Sequence, residues 1–155
     1  MEKLTLPDIA PRIRTGPAGK PEIFDPIRKR YVRLTPEEWV RQHFLGYMTG
    51  VLGYPATLIR VEAAIQVNRM IRRFDIVACS VTGEPRLVVE CKEPRVEITQ
   101  AVFDQAARYN MTLKADFLVV TNGLSHYACS IDHANQRYAF LEEVPAFEVV
   151  SGMPG

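Results

Sequence analysis

The chain has 155 residues, 47% hydrophobic and 24% charged, the balance of one soluble globular domain. Nineteen Lys and Arg against eighteen Asp and Glu leave a net charge of +1, which excludes a strongly basic coat protein and a polyanion mimic but not a local basic patch. Apolar runs as short as Phe117 to Val120, an N-terminus without a signal-peptide core, and three cysteines without close spacing lead to the expectation of a cytoplasmic protein with no membrane span.

Residues 1–35 hold eight Lys/Arg against four Asp/Glu, a local excess of +4. The first thirty are rich in Pro (7, 11, 17, 21 and 26), with Gly16 and Gly19, which suits an extended arm over residues 1–30 better than packed structure. A single domain is expected over 31–150, and the tail from Ser151 to Gly155 is expected to fray.

Thr35-Pro36-Glu37-Glu38 offers an N-cap hydroxyl, Pro at the first helical position and an acidic residue three beyond the cap. Val40, Phe44, Tyr47, Met48 and Val51 follow at helical spacing, so a first helix is predicted over 36–51. Alternation then puts Ile59, Val61, Ala63, Ile65 and Val67 on one face of a first strand. After a turn at 68–71, strands are predicted over 72–81 and 86–93 as an antiparallel meander. A second helix is predicted over 99–113, with Val102, Phe103, Ala106, Ala107 and Asn110 inward. Phe117 to Thr121 reads as a buried strand, parallel to the third by a right-handed crossover. Residues 126–131 and 138–141 read as a closing hairpin at the sheet edge. The fold class is α/β, a mixed sheet with helices packed on it.

Three charged residues stand inside apolar strands. Asp75 lies in Arg73-Phe74-Asp75-Ile76-Val77, while Glu90 and Lys92 flank Cys91 in the third strand. Strand period puts Glu90 and Lys92 on one face, about 6.6 Å apart, and the adjacent strand can bring Asp75 beside them. Two carboxylates and a backbone carbonyl make a hard-oxygen pocket suited to Mg²⁺, and a neighbouring lysine can orient a water or stabilise charge developing on a phosphoryl oxygen. A partly buried structural ion-pair cluster accounts for the same trio equally well.

The ordered set of stretches resembles the PD-(D/E)xK nuclease superfamily. It is closer still to the N-terminal nuclease domain of type I restriction enzyme R subunits and their small standalone relatives. These stretches are 34–42 (LTPEEWVRQ), 73–77 (RFDIV), 87–93 (LVVECKE), 103–110 (FDQAARYN) and 120–123 (VTNG). The resemblance implies a restriction-endonuclease-like core of helix, three-stranded meander, helix and strand, with a C-terminal hairpin. It implies a Mg²⁺-dependent DNA endonuclease, with Mn²⁺ as a substitute, in which Asp75 and Glu90 hold the metal and Lys92 assists catalysis. Gln105 matches the catalytic glutamine of the second helix, with Tyr109 four residues on as an accessory. A first-helix acid joins the site in the family; the helical wheel turns Glu37 and Arg41 toward the apolar stripe and leaves Glu38 at its edge, which favours Glu37. Phe74, not Pro, precedes Asp75, so the first letter of the superfamily name is not literally present.

No GxxxxGK[S/T] loop occurs, so no ATP site is expected in this chain, and DNA and a partner protein supplying specificity or a motor are the implied partners. The alternative is a non-catalytic nucleic-acid-binding or assembly module that keeps the fold. Arg28, Lys29, Arg30 and Arg33, and Arg69, Arg72 and Arg73 near the strand turn, are candidates to meet phosphates, although such runs are more often solvated charge. Cys79, Cys91 and Cys129 read as small buried apolar residues, and His43, His126 and His133 as structural.

Overall fold

A computed structural model describes residues 1–152 and contains two sheets. The smaller is antiparallel, in the order β1 (Ile13–Thr15), β2 (Pro21–Asp25), β3 (Arg30–Arg33). The larger has six strands in sequence order: β4 (Ile59–Val67), β5 (Met70–Cys79), β6 (Pro85–Cys91), β7 (Phe117–Thr121), β8 (His126–Asp132) and β9 (Arg137–Phe140). The helices are α1 (Pro36–Gly50), α2 (Gln100–Asn110) and α3 (Phe147–Ser151). β4, β5 and β6 form the expected meander, β7 runs parallel to β6, and β8–β9 close the sheet as a hairpin.

Local chemistry sets the boundaries. The Thr35 hydroxyl accepts the Glu38 N–H at 3.0 Å to start α1, and Thr99 caps α2 through the Val102 N–H. Only Asn68 and Arg69 turn the chain between β4 and β5, both with positive φ (50° and 68°), as a two-residue hairpin turn requires. Met70 and Ile71 therefore belong to β5 rather than to the turn. Val51 lies past α1 and is exposed rather than part of its stripe. The sequence patterning did not foresee α3; Ser151 closes it, and residues 153–155 of the expected frayed tail lie outside the described residues.

The expectation of an arm over residues 1–30 is corrected. Pro21 opens β2, a strand position that tolerates proline, and Ile23 and Asp25 alternate inward to full burial. The segment before β1 is also packed. The Trp39 indole N–H donates to the Glu2 carbonyl, the Thr5 N–H donates to the Gly123 carbonyl, and Leu4 is buried in the α1 core. Gly123, in the VTNG stretch, sits at φ +83°, and a Cβ there would lie 2.8 Å from Leu4 Cδ2. Glycine thus fits that turn for both conformation and space.

The large sheet has a core on each face. Val40, Phe44 and Met48 of α1 pack with Ile59, Ile76, Leu87, Val89 and Val119. Phe103, Ala106 and Ala107 of α2 pack with Phe74, Val77, Val88, Leu118 and Val120 on the other face. β4 departs from the sequence reading here. Ile59 and Val61 face the α1 core, but Ala63, Ile65 and Val67 face the α2 core. The switch falls at Glu62, whose φ of +53° is left-handed, a conformation that non-glycine residues rarely hold inside a strand. Opposite it, Phe74 and Ile76 of β5 likewise face opposite cores around Asp75.

Candidate functional site

The site lies where β5 and β6 part. Their ladder pairs Ile76 with Val89 and would next pair Asp75 with Glu90, but it stops. The Asp75 side chain replaces the missing backbone partner, its Oδ2 accepting the Cys91 N–H at 2.7 Å. The strands splay, and the opening is a cleft lined by Arg73, Asp75, Glu90, Lys92, Gln105, Ala106 and Tyr109. Sequence reasoning gave a site role to every one of these except Ala106, which it placed on the inner stripe of the second helix.

Glu90 and Lys92 project to the α2 side, with Glu90 Oε2 3.4 Å from Lys92 Nζ. Glu90 Oε1 accepts from the Asn110 amide at 3.3 Å. The Tyr109 hydroxyl donates to the Arg73 carbonyl and accepts the Arg73 N–H, at 3.0 and 3.2 Å, tying α2 to β5 two residues before Asp75. Burial raises the Glu90 carboxyl above its ordinary value, and the Asp75 charge pushes the same way against Asn110 and Lys92.

α1 reaches Asp75 through Arg41, a residue to which sequence reasoning gave no role. Its Nη2 reaches Glu62 Oε1 at 2.7 Å, Asp75 Oδ1 at 3.1 Å and Glu37 Oε2 at 3.3 Å, and its Nη1 reaches Glu38 Oε1 at 2.5 Å. Burial would favour neutral Arg41, but Glu38, Asp75 and Glu62 outweigh it and hold the guanidinium cationic. Glu37 is half-exposed; burial and then the Asp75 charge raise its carboxyl, with Glu90 and Glu62 adding and Arg41 opposing. Glu38 is the buried one, bonded also to Arg28 at 2.8 Å and Gln42 at 3.0 Å. The helical wheel favoured Glu37 for its turn toward the apolar stripe, and the burial of the pair is the reverse of that reading.

Glu62 and Asn110 also belong to the site without a sequence assignment. Asn110 sits in the inner stripe of α2 but supplies a donor, and its buried Oδ1 has no hydrogen-bond partner among the described residues. Around the cleft Glu37, Glu62, Asp75 and Glu90 face Arg41, Arg73 and Lys92, a formal excess of one negative charge that a further cation would offset. No group of three or more His, Cys, Asp or Glu able to hold a metal occurs among the described residues. Side-chain ligation would rest on Asp75 and Glu90, as for a Mg²⁺ that keeps several waters.

The basic candidates divide. Arg28 is a structural cation, 2.5 Å from fully buried Asp25 and 2.8 Å from Glu38, and its expected place on a phosphate-binding run is corrected. Burial alone would raise Asp25, but the Arg28 side chain and backbone N–H lower it below the ordinary value. Lys29, Arg30 and Arg33 are exposed. Arg73 lines the cleft and is not close to them in sequence or sheet. Cys79, Cys91 and Cys129 are free and buried, and burial pushes the Cys91 thiol well up, so it is an unreactive core residue. The histidines are satisfied, His43 by the Trp39 carbonyl, His126 by Thr121 and His133 by the Ala115 carbonyl. No helix is long and apolar enough to cross a membrane among the described residues.

Residues 36–145 match the family described as type I restriction enzyme R protein N terminus. A fragment structure described as an HsdR subunit of a type I restriction enzyme from Vibrio vulnificus YJ016 has the same fold over 76% of this chain, with a TM-score of 0.52 and 19% sequence identity. The chain spans 24% of that protein's length. This likeness shows the fold, a restriction-endonuclease-like core. No curated protein matches the sequence.

Proposed function

The chain belongs to the family of type I restriction enzyme R protein N termini, and from that premise we propose that it is a Mg²⁺-dependent DNA endonuclease domain that hydrolyses phosphodiester bonds. Its nuclease unit is residues 31–150 with residues 1–30 packed against it, acting with partner subunits that supply specificity and a motor. The observation that carries this reading is the gathering of Asp75, Glu90, Lys92, Gln105 and Tyr109 in one cleft.

The donor set fits a hard divalent cation. Asp75 and Glu90 present carboxylate oxygens, and burial and then the Asp75 charge make the Glu90 charge costly until a cation neutralises it. Held there, a cation would supply Lewis-acid polarisation of a phosphoryl oxygen and a more acidic water. Glu90 and Asp75 are the residues that would hold it. Lys92 carries a positive charge beside Glu90, where it can orient the attacking water or stabilise the charge developing on the phosphate. Gln105 supplies an amide for aligning substrate or water at the mouth of the cleft. Tyr109 acts by fixing the β5 backbone next to Asp75.

One observation favours the second reading, a non-catalytic nucleic-acid-binding or assembly module. Arg41 already neutralises Asp75 at 3.1 Å, as a purely structural ion cluster would require. Incubation with plasmid and single-stranded DNA decides between them. The nuclease reading expects breaks with Mg²⁺ or Mn²⁺ and none in EDTA; intact DNA under all these conditions, with any partner subunits present, overturns it.

A further inference from the structure

The β4–β5 hairpin continues past the end of β6. β5 pairs with β4 from Met70 to Ala78 but with β6 only from Ile76 onward, so the outer part is a two-stranded ribbon. Its inner face packs Ala63, Ile65 and Val67 on the α2 core. On that face the Arg72 guanidinium lies 5.0 Å over the Tyr109 ring. The cross-strand pairs Ala64–Arg73 and Gln66–Ile71 form the outer face, and all four residues are exposed.

The composition of the ribbon is one-sided. From Ala63 to Arg73 it holds Arg69, Arg72 and Arg73 and no acidic residue, in a chain whose net charge is only +1. Ile71 is 77% exposed and Met70 58% at the tip. Exposed apolar side chains among cations match a groove walled by phosphates better than they match water. The root of the ribbon is fixed to the catalytic cleft. Arg73 lines that cleft beside Asp75 and Glu90, and the Tyr109 hydroxyl clamps the Arg73 backbone from both sides.

We infer that the β4–β5 ribbon is the duplex-DNA docking element of this domain. Arg69, Arg72 and Arg73 take phosphates, and Ile71 with Met70 lies against the sugar and base edges of a groove that a two-stranded ribbon can enter. The inference rests on the nuclease reading for its substrate, since a strand held by Arg73 is a strand delivered to Asp75, Glu90 and Lys92. A protein partner is the weaker match, because the ribbon offers no acidic residue to pair with a mixed-charge surface.

The test measures binding of a fluorescein-labelled mixed-sequence duplex, and of one of its strands, across a salt titration in EDTA. Each phosphate contact steepens the slope of log K against log salt by about 0.9. Over a fourfold rise in salt the wild type should therefore lose about twelvefold more affinity than an Arg69→Gln/Arg72→Gln double variant. Ile71→Ser should weaken duplex binding with an unchanged slope, because an apolar contact releases no counterion. Melting temperatures confirm that both variants are folded. Variants that match the wild type in slope and affinity, or a single strand bound more tightly than the duplex, overturn the inference. Plasmid cleavage by the wild type, read in parallel, separates the two claims. Cleavage with ribbon-independent binding sinks the ribbon and spares the nuclease, whereas ribbon-dependent binding without cleavage does the opposite.

Discussion

Replacing Lys92 by Ala should reduce DNA cleavage by at least about a hundredfold, the scale for losing one positioned group that stabilises transition-state charge. A protonated lysine has no lone pair to give a metal, so its part in the reaction is on the water or the phosphate. Lys92 is one-third exposed and pairs with Glu90 at 3.4 Å, a contact worth about 1 kcal/mol or less. The melting temperature should accordingly fall by no more than about 4 °C. Mn²⁺ binding should persist or strengthen, because a cation competing for Glu90 is gone. A structural ion cluster makes the reverse forecast: no cleavage before the substitution, and a clear loss of stability after it. Cleavage rate, melting temperature and Mn²⁺ affinity on this one variant therefore separate enzyme from scaffold.

Arg41→Met should be the most destabilising single change in the site. The guanidinium is 5% exposed and binds Glu37, Glu38, Glu62 and Asp75. Removing it leaves Glu38, itself nearly fully buried, with Arg28 as its remaining cation. Stripping one partner from a buried ion pair costs about 3–5 kcal/mol, or roughly 6–20 °C in melting temperature for a chain of this size. Met retains most of the apolar stem, so the loss reports charge more than volume. A shift of a degree or two would mean that the carboxylates reach solvent and that Arg41 does not organise them.

The charged trio was legible in the sequence because charge inside an apolar strand is conspicuous. Asp75 stands between Phe74 and Ile76, Glu90 follows Leu87-Val88-Val89, and the strand period alone sets Lys92 beside Glu90. Glu62 was hidden by the same periodicity, since Val61, Ala63 and Ile65 alternate without a break. The left-handed backbone that turns them to opposite cores leaves no mark on hydrophobicity. Arg41 and Arg28 were hidden for a different reason. The partners that tie them into the site lie farther along the chain, Asp75 thirty-four residues from Arg41 and Glu38 ten from Arg28, while the local pairs with Glu37, Glu38 and Asp25 read as ordinary solvated charge. The N-terminal sheet was masked by its prolines, which look like breakers until Pro21 is found opening a strand.

The most direct test of the proposed metal site is a calorimetric Mn²⁺ titration of the wild type and Asp75→Ala across pH. Glu90 holds its proton above the ordinary glutamate value of 4.5, first through burial and then through Asp75. Protonation of such a raised group favours the metal-free fold at low pH, an advantage lost as pH rises through the folded-state value. A cation must displace that proton, so wild-type affinity should be weak near pH 4.5 and climb as pH rises through the raised value, then level off. Asp75→Ala should bind little Mn²⁺ at any pH while remaining folded. Equal binding by the two proteins, or wild-type affinity that does not change with pH, would contradict a metal held by Asp75 and Glu90.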